Sequence, residues 1–246
     1  MFVINIFLDL TIRGGAKSTV YLSSINLFKD KTMKLFQKSL IVSSLALASV
    51  AANAADSNMY GSVGMTALKA DLGFSVSGVT IDDDDTAPMV MLGYKINDTV
   101  SLEAGVVGSS EVSASASGSA SGTLNGKSIS VSAAGTVKAE ADNSYMLGAA
   151  FNMPVAEKLT ATARAGMLWW DVDYTAAGTL NVTYDGATTA ISGSGKFASN
   201  DGSDVYLGVG MNYEVADDVS ISADYMRTEV DGADIDAYTL SAVLRF

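Results

Sequence analysis

Histidine and cysteine are both missing from the 246 residues. Without cysteine there is no disulfide framework and no thiolate metal site. Without histidine the chain lacks the side chain that most often moves protons near neutral pH. Acid–base chemistry would then fall to serine, carboxylate or lysine groups, and no motif supports such a device; no G-x-S-x-G stands at a strand-to-helix turn. Basic residues are also few: 15 Lys and Arg stand against 27 Asp and Glu, a formal charge of −12. Phosphate binding needs the opposite balance, so nucleic acid is excluded as a partner. Proline occurs only 2 times, against 23 glycines and abundant Ser, Thr, Ala and Val, a mixture suited to many strands and not to helices.

What is present begins with a secretory pattern. Lys34 and Lys38 form a charged region, Ser39 to Ala52 an apolar one, and Ala52-Asn53-Ala54 a small-x-small cleavage site. The apolar core is shorter than the ~20 residues of a membrane-spanning helix. The expected organisation is therefore residues 33–54 as a signal peptide and 55–246 as one β-domain. Residues 1–32 precede a serviceable start at Met33, and read either as an upstream start chosen in error or as a true N-terminal extension. Loss of residues 1–54 removes six basic and two acidic side chains, leaving nine against 25, a charge of −16. Most of those acids lie between alternating segments.

Three stretches repeat: Met91–Gly105, Met146–Ala163 and Tyr206–Ala223. Each carries Leu-Gly near the middle of an alternating segment, then a polar turn, then a second alternating segment. They read as hairpins turning near Asn97-Asp98, Pro154 to Lys158, and Glu214 to Asp218. With a first and a last strand the expected set is eight: 59–68, 88–96, 99–108, 144–153, 159–172, 204–213, 219–227 and 237–246. Connections after the second, fourth and sixth are short. Those after the first, third and fifth are long, and the last, Val230 to Asp236, is moderate. Eight strands suffice to close a small barrel filled by its own side chains.

The final strand is the clearest. Tyr238, Leu240, Ala242, Leu244 and Phe246 occupy every second position, with Thr239, Ser241, Val243 and Arg245 between them. One face is apolar. A soluble sheet buries such a face under a second layer, whereas a transmembrane barrel turns it to lipid. Aromatics fall near both ends of the apolar faces: Tyr94, Phe151, Tyr213 and Phe246 at one level, Tyr145, Trp169, Tyr225 and Tyr238 at the other. Tyr238 to Phe246 spans about 27 Å of strand, or roughly 20 Å of height when tilted, close to the apolar band of such barrels.

On the opposite faces the same register places Lys95, Glu103, Arg164, Asp224 and Arg245, among serines, threonines and glycines. Unpaired buried charge is unfavourable, so Glu103 and Asp224 are expected to bond Arg164, Arg245 or both, and to plug a wet or ionically stitched interior. A narrow polar channel through the same residues is the alternative.

Between strands, Val112–Ala141 and Thr179–Phe197 also alternate, around Asn125-Gly126 and Asp185-Gly186, both type I′ turn signals. They read as strand extensions, with flexible low-complexity loops as the competing reading. Exposed strand edges can pair with other chains. Asp82 to Asp85 lacks the alternate spacing of a calcium loop and reads as a solvated acidic loop.

Together the signal pattern, eight alternating segments, hairpin repeat, loop asymmetry and terminal Phe246 resemble the small outer-membrane β-barrels of the OmpA/OmpX type, over Ala55 to Phe246. The resemblance implies an all-β, transmembrane, antiparallel up-and-down barrel in the outer membrane of a Gram-negative bacterium, with strand extensions in its extracellular loops. It implies outer-membrane lipid and lipopolysaccharide as surroundings. It also implies assembly machinery and periplasmic chaperones as partners, reading a C-terminal signal of Tyr238, Leu240, Leu244 and Phe246. Its members that are enzymes resemble one another in using a histidine, so a non-enzymatic structural or adhesion-like role, with a host or cell-surface partner at the loops, is the expectation. No cofactor or metal is expected. A narrow pore, or an OmpW-like channel for small solutes, is the rival function. A secreted soluble β-sandwich is the rival fold, in which two stacked sheets would enclose Leu207, Val209, Leu240 and Leu244.

Overall fold

The computed structural model describes residues 58–71 and 77–246, and the backbone of 9–11 and 17–19. The expected signal peptide, with Ala52 and Ala54, lies outside the described residues. Two units are present, Met1–Ser39 and Leu40–Phe246. In the first, β1 (Asp9–Thr11) and β2 (Lys17–Thr19) pair antiparallel.

The second unit is built on a ring. Its members are β3 (Met59–Asp71), β5 (Asp84–Lys95), β6 (Val100–Val107), β9 (Ser144–Ala156), β10 (Leu159–Tyr184), β11 (Ala187–Ala216), β12 (Val219–Val230) and β13 (Ala233–Arg245). Each pairs antiparallel with the next in that order, and β13 pairs with β3. The eight expected segments are these eight strands, and the sheet closes on itself. Closure removes edges and gives every backbone amide at this level a ladder partner.

Alternation decides what faces where. Leu207 (61% exposed), Val209 (60%) and Leu240 (63%) point outward, as do Leu147, Phe151 and Met211. Among the described residues no second layer covers them, and the ring closes on itself, so the sandwich is excluded. A belt of bare Leu, Val and aromatic side chains of this extent suits hydrocarbon, not water. Tyr94, Phe151 and Tyr213 mark one border and Tyr145, Trp169 and Tyr238 the other, all outward-facing. Tyr225 and Tyr238 are register partners, with ring centroids 5.2 Å apart.

The Leu-Gly repeat now has a reason. Leu92, Leu147 and Leu207 face outward, and the glycine after each faces the lumen where a large side chain crosses it. A Cβ on Gly93 would strike the Tyr60 ring, one on Gly148 the Tyr206 hydroxyl, and one on Gly208 the Met226 side chain.

At one end the ring is joined by short turns: two residues, Glu157-Lys158 and Asp217-Asp218, tighter than expected, and four at 96–99. At the other end strands run on. β7 (Ser110–Leu124) and β8 (Lys127–Ala141) form a hairpin whose β8 pairs with the outer half of β10, from Val172 to Tyr184, while β4 (Val79–Asp82) adds to β7. The outer half of β11 pairs with β10 on its other side. The result is a five-stranded sheet, β4-β7-β8-β10-β11, standing beyond the ring. Asn125-Gly126 and Asp185-Gly186 turn its hairpins with φ of 51° and 78°, and 52° and 82°, the positive pair a type I′ turn requires.

Two expectations are corrected here. The last connection is not moderate: β12 and β13 meet in a two-residue turn, Asp231-Gly232, with φ of 49° and 82°. The Asp-Gly signal was present but hidden among neighbouring acids. Nor is Asp82 to Asp85 a free loop. Asp82 ends β4 and Asp84-Asp85 begin β5; Asp85 accepts the amide protons of Thr86 and Glu111, both at 2.7 Å.

Candidate functional site

The lumen has two halves of opposite character. Toward the short turns it is polar. Asn152 donates to Ser101 at 3.2 Å, Thr162 to Asn152 at 3.1 Å, and Asn212 to Thr162 at 2.9 Å. Arg245 bonds Glu214 at 3.1 Å and Ser220 at 3.3 Å. Lys95 lines a cavity of about 120 Å³ there with Asp98 and Arg245.

At mid-height sits a buried charge cluster. Arg164 on β10 bonds Glu103 on β6 through Nε at 2.8 Å, and Asp224 on β12 through Nη1. The three are only 7%, 2% and 7% exposed, respectively. Two carboxylates against one guanidinium leave a negative charge over, and hydroxyl donors take it up: Tyr60 donates to Glu103 Oε1 at 2.6 Å, and Ser222 to Asp224 Oδ2 at 2.6 Å. All four carboxylate oxygens are thus bonded, the condition under which a buried charge network holds together.

Arg245 does not join this cluster. Of the two arginines expected to bond Glu103 and Asp224, singly or together, Arg164 alone does so; Arg245 lies a level lower, against Glu214. Glu214 had been read as part of a turn; it is instead a residue of β11, opposite Ser220.

Above the cluster the lumen turns apolar. Met89, Met146, Leu168, Trp170, Tyr206 and Met226 are buried together. A wholly wet or ionically stitched interior is therefore incorrect: half of it is a hydrophobic core. Tyr60, Tyr206 and Trp170 were missed, although the signal existed in the parity. Tyr206 shares the face of Gly208 and Gly210, and Trp170 that of Arg164. Large side chains at those positions are admitted by glycines that are their register partners on the neighbouring strand, Gly202 beside Trp170 and Gly166 beside Tyr206. The Trp170 indole N–H is satisfied by Asp204 at 2.7 Å.

The five-stranded sheet divides just as sharply. Register partners share a face, so Leu180 aligns with Ile191 and Ala133, and Val182 with Val131, while Thr179, Ser192 and Ala134 lie opposite. On β7 the hydroxyl face carries Ser113, Ser115, Ser117, Ser119 and Ser121. The apolar face continues the lumen side of β10 beyond Val172 and Tyr174.

A family model described as the outer membrane protein beta-barrel domain matches residues 39–246. The chain belongs to this outer-membrane β-barrel family. It resides in the bacterial outer membrane, where the short turns of such barrels face the periplasm and the extended strands the outside. No curated protein matches the chain. Among solved structures it is similar to Ail, the attachment invasion locus protein of Yersinia pestis, at 13% identity and a TM-score of 0.41, over 78% of this chain and 100% of that one. Neisserial surface protein A shows 14% identity and 0.37, over 77% and 98%. OprG of Pseudomonas aeruginosa shows 9% identity and 0.46, over 77% and 96%. These are likenesses of shape at low identity; the family match decides the membership.

Among the described residues no group of three or more acidic side chains is arranged to hold a metal ion.

Proposed function

We propose that this is a non-enzymatic surface-interaction protein: a sealed barrel that anchors an adhesive extracellular sheet. The observation that carries this reading is the edge of β11. From Ala187 to Asp204 that strand pairs with β10 on one side, and its partnership with β12 begins only at Leu207. Among the described residues the other side of that span has no ladder. Its backbone donors and acceptors are open to an added strand, which is how β-augmentation gives affinity. The partner fitting such an edge is an extended segment of a host or neighbouring cell-surface protein, with lipopolysaccharide around the barrel wall.

The lumen supports the sealed half of the reading. The upper and lower cavities share no lining residue, and the Glu103–Arg164–Asp224 cluster with Tyr206 stands between them. A narrow pore would need that cluster to break. The non-enzymatic half rests on the missing histidine and on the Glu103 and Asp224 carboxylates, whose four oxygens are all engaged. Outward-facing Tyr238, Leu240 and Leu244 on β13, with Phe246 donating its amide to the Met59 carbonyl at 3.1 Å, are the proposed signal for the assembly machinery and its chaperones.

The test is binding of expressing cells to host-cell surfaces with the β10–β11 extension trimmed between Gly178 and Gly193. Lost binding with an intact barrel is the expected result; unchanged binding overturns the adhesive reading. Steady single-channel conductance of pure protein in planar bilayers overturns the seal.

A further inference from the structure

The outer half of the lumen is not completely filled. Above Tyr206 lies a cavity of about 110 Å³, walled by Leu68, Met146, Leu168, Met226 and Ile235. It shares Val112, Val230 and Ile235 with a second cavity of about 290 Å³ nearer the mouth, which Val172 and Tyr174 also line. The floor is closed by Tyr206 and Met226 over the charge cluster.

Several polar groups around this space are already engaged. Asp85 at the rim is already bonded to two backbone amides. Thr66 at the floor bonds Thr239 at 2.8 Å. The one buried side-chain polar atom without a partner among the described residues is the Ser62 hydroxyl, and Ser62 lines the lower cavity instead. The remaining polar side chains on the wall, Asp83, Ser110, Ser144 and Thr228, are outnumbered by apolar ones. Asp83 and Asp85 stand at the rim, so an anion would meet carboxylates on entry. The wall above is the apolar face of the extracellular sheet, running from Val172 past Leu180 and Val182 toward the tip.

We infer that this cavity is a binding site for a small uncharged apolar molecule, entered from the extracellular side and closed below, so that the ligand is held and not passed through. Apolar cavities lined by aliphatic side chains stay dry and take up compact hydrocarbons. Capture needs no channel. The inference shares with the adhesive reading only the sealed floor, which conductance tests separately.

Methionine methyl NMR on the full chain in lipid nanodiscs tests it, with cyclohexane as the probe. Met146 and Met226 line the cavity, whereas Met153 and Met211 face outward at 62% and 46% exposure and serve as internal controls. The Met146 and Met226 signals should shift saturably, while Met153 and Met211 follow partitioning into lipid without saturating. Ala237→Phe, which fills the cavity, should weaken the saturable component at least tenfold in a barrel shown to be folded by its heat-modifiable gel mobility. Ala141→Leu is the second variant if the first fails to assemble. Octanoate should bind at least tenfold more weakly than octane, and Asp83→Asn should narrow that gap. Parallel, unsaturable shifts at all four methionines, or shifts unmoved by both filling variants, overturn the site. Equal binding of octanoate and octane overturns the ligand class.

Discussion

Tyr60 on β3 lies over the bare backbone of its register partner Gly93 on β5 and donates its phenolic proton to Glu103 on β6, at 2.6 Å. Three strands thus meet at one point. Glycine on β5 makes the room, tyrosine on β3 supplies the donor, and the carboxylate on β6 holds Arg164 from the far side.

Among the described residues Arg164 is the single cation of that layer. Replacing it by Met leaves Glu103 and Asp224 buried without a counter-charge, and the expected loss is about 3–5 kcal/mol. Replacing all three together by Leu, Met and Leu removes the charge and its desolvation at once, and should fall much closer to the parent, or above it. Urea unfolding followed by heat-modifiable gel mobility reads both. A triple variant as unstable as Arg164→Met would contradict the balance described.

Gly148 lies where two large groups meet, the Tyr206 hydroxyl and the backbone of β10. Gly148→Val should destabilise by about 1–3 kcal/mol through overpacking. Gly118, on the extracellular sheet with open space where its Cβ would be, should accept valine with a change near zero. Equal effects at the two positions would show that strand propensity, and not lumen space, governs these glycines.

Gly126 and Gly186 complete the two long hairpins at φ of 78° and 82°. A β-branched residue is strained there. Gly186→Val should loosen the tip by about 1–2 kcal/mol and expose Lys127, which pairs with Asp185 there, to trypsin, while the barrel's gel mobility stays unchanged. Loss of the folded band would mean that the extension and the ring fold as one unit.

The Asp231 carboxyl is held below its usual range, first by the hydrogen bond from Tyr174 and then by that from Asn200. Asp173 is lowered likewise by Lys196 and then by Ser199. A carboxyl lowered in the folded state contributes stability above its unfolded value, and that contribution is lost as pH falls through the folded value. The outer sheet should therefore loosen only below about pH 4, seen as faster amide exchange at the tips of β10 to β13, with Asp231→Asn flattening the response. Tyr174 is pushed up to about 12, first by desolvation and then by Asp231. Its share is present below the ordinary tyrosine value and is lost as pH rises through about 12. Loosening already between pH 5 and 9 would contradict both assignments.

Much of this was legible before any coordinates. Period-two alternation put Leu207 and Leu240 on the outward side and Arg164 and Asp224 on the inward one, because the side-chain direction of a strand residue depends only on whether its position is odd or even. The turns at Asn125-Gly126 and Asp185-Gly186 were readable because few residues tolerate positive φ. Height and azimuth were not legible. Which inward residues meet is set by the stagger and tilt of eight strands closed into a ring, a property of the whole sheet that no local stretch carries. Hence Arg164 rather than Arg245 faces Glu103, Glu214 takes Arg245, and Tyr206 and Met226 divide the lumen into a charged half and a greasy one. Inside against outside was written in the order of the residues; who touches whom waited for the cylinder to close.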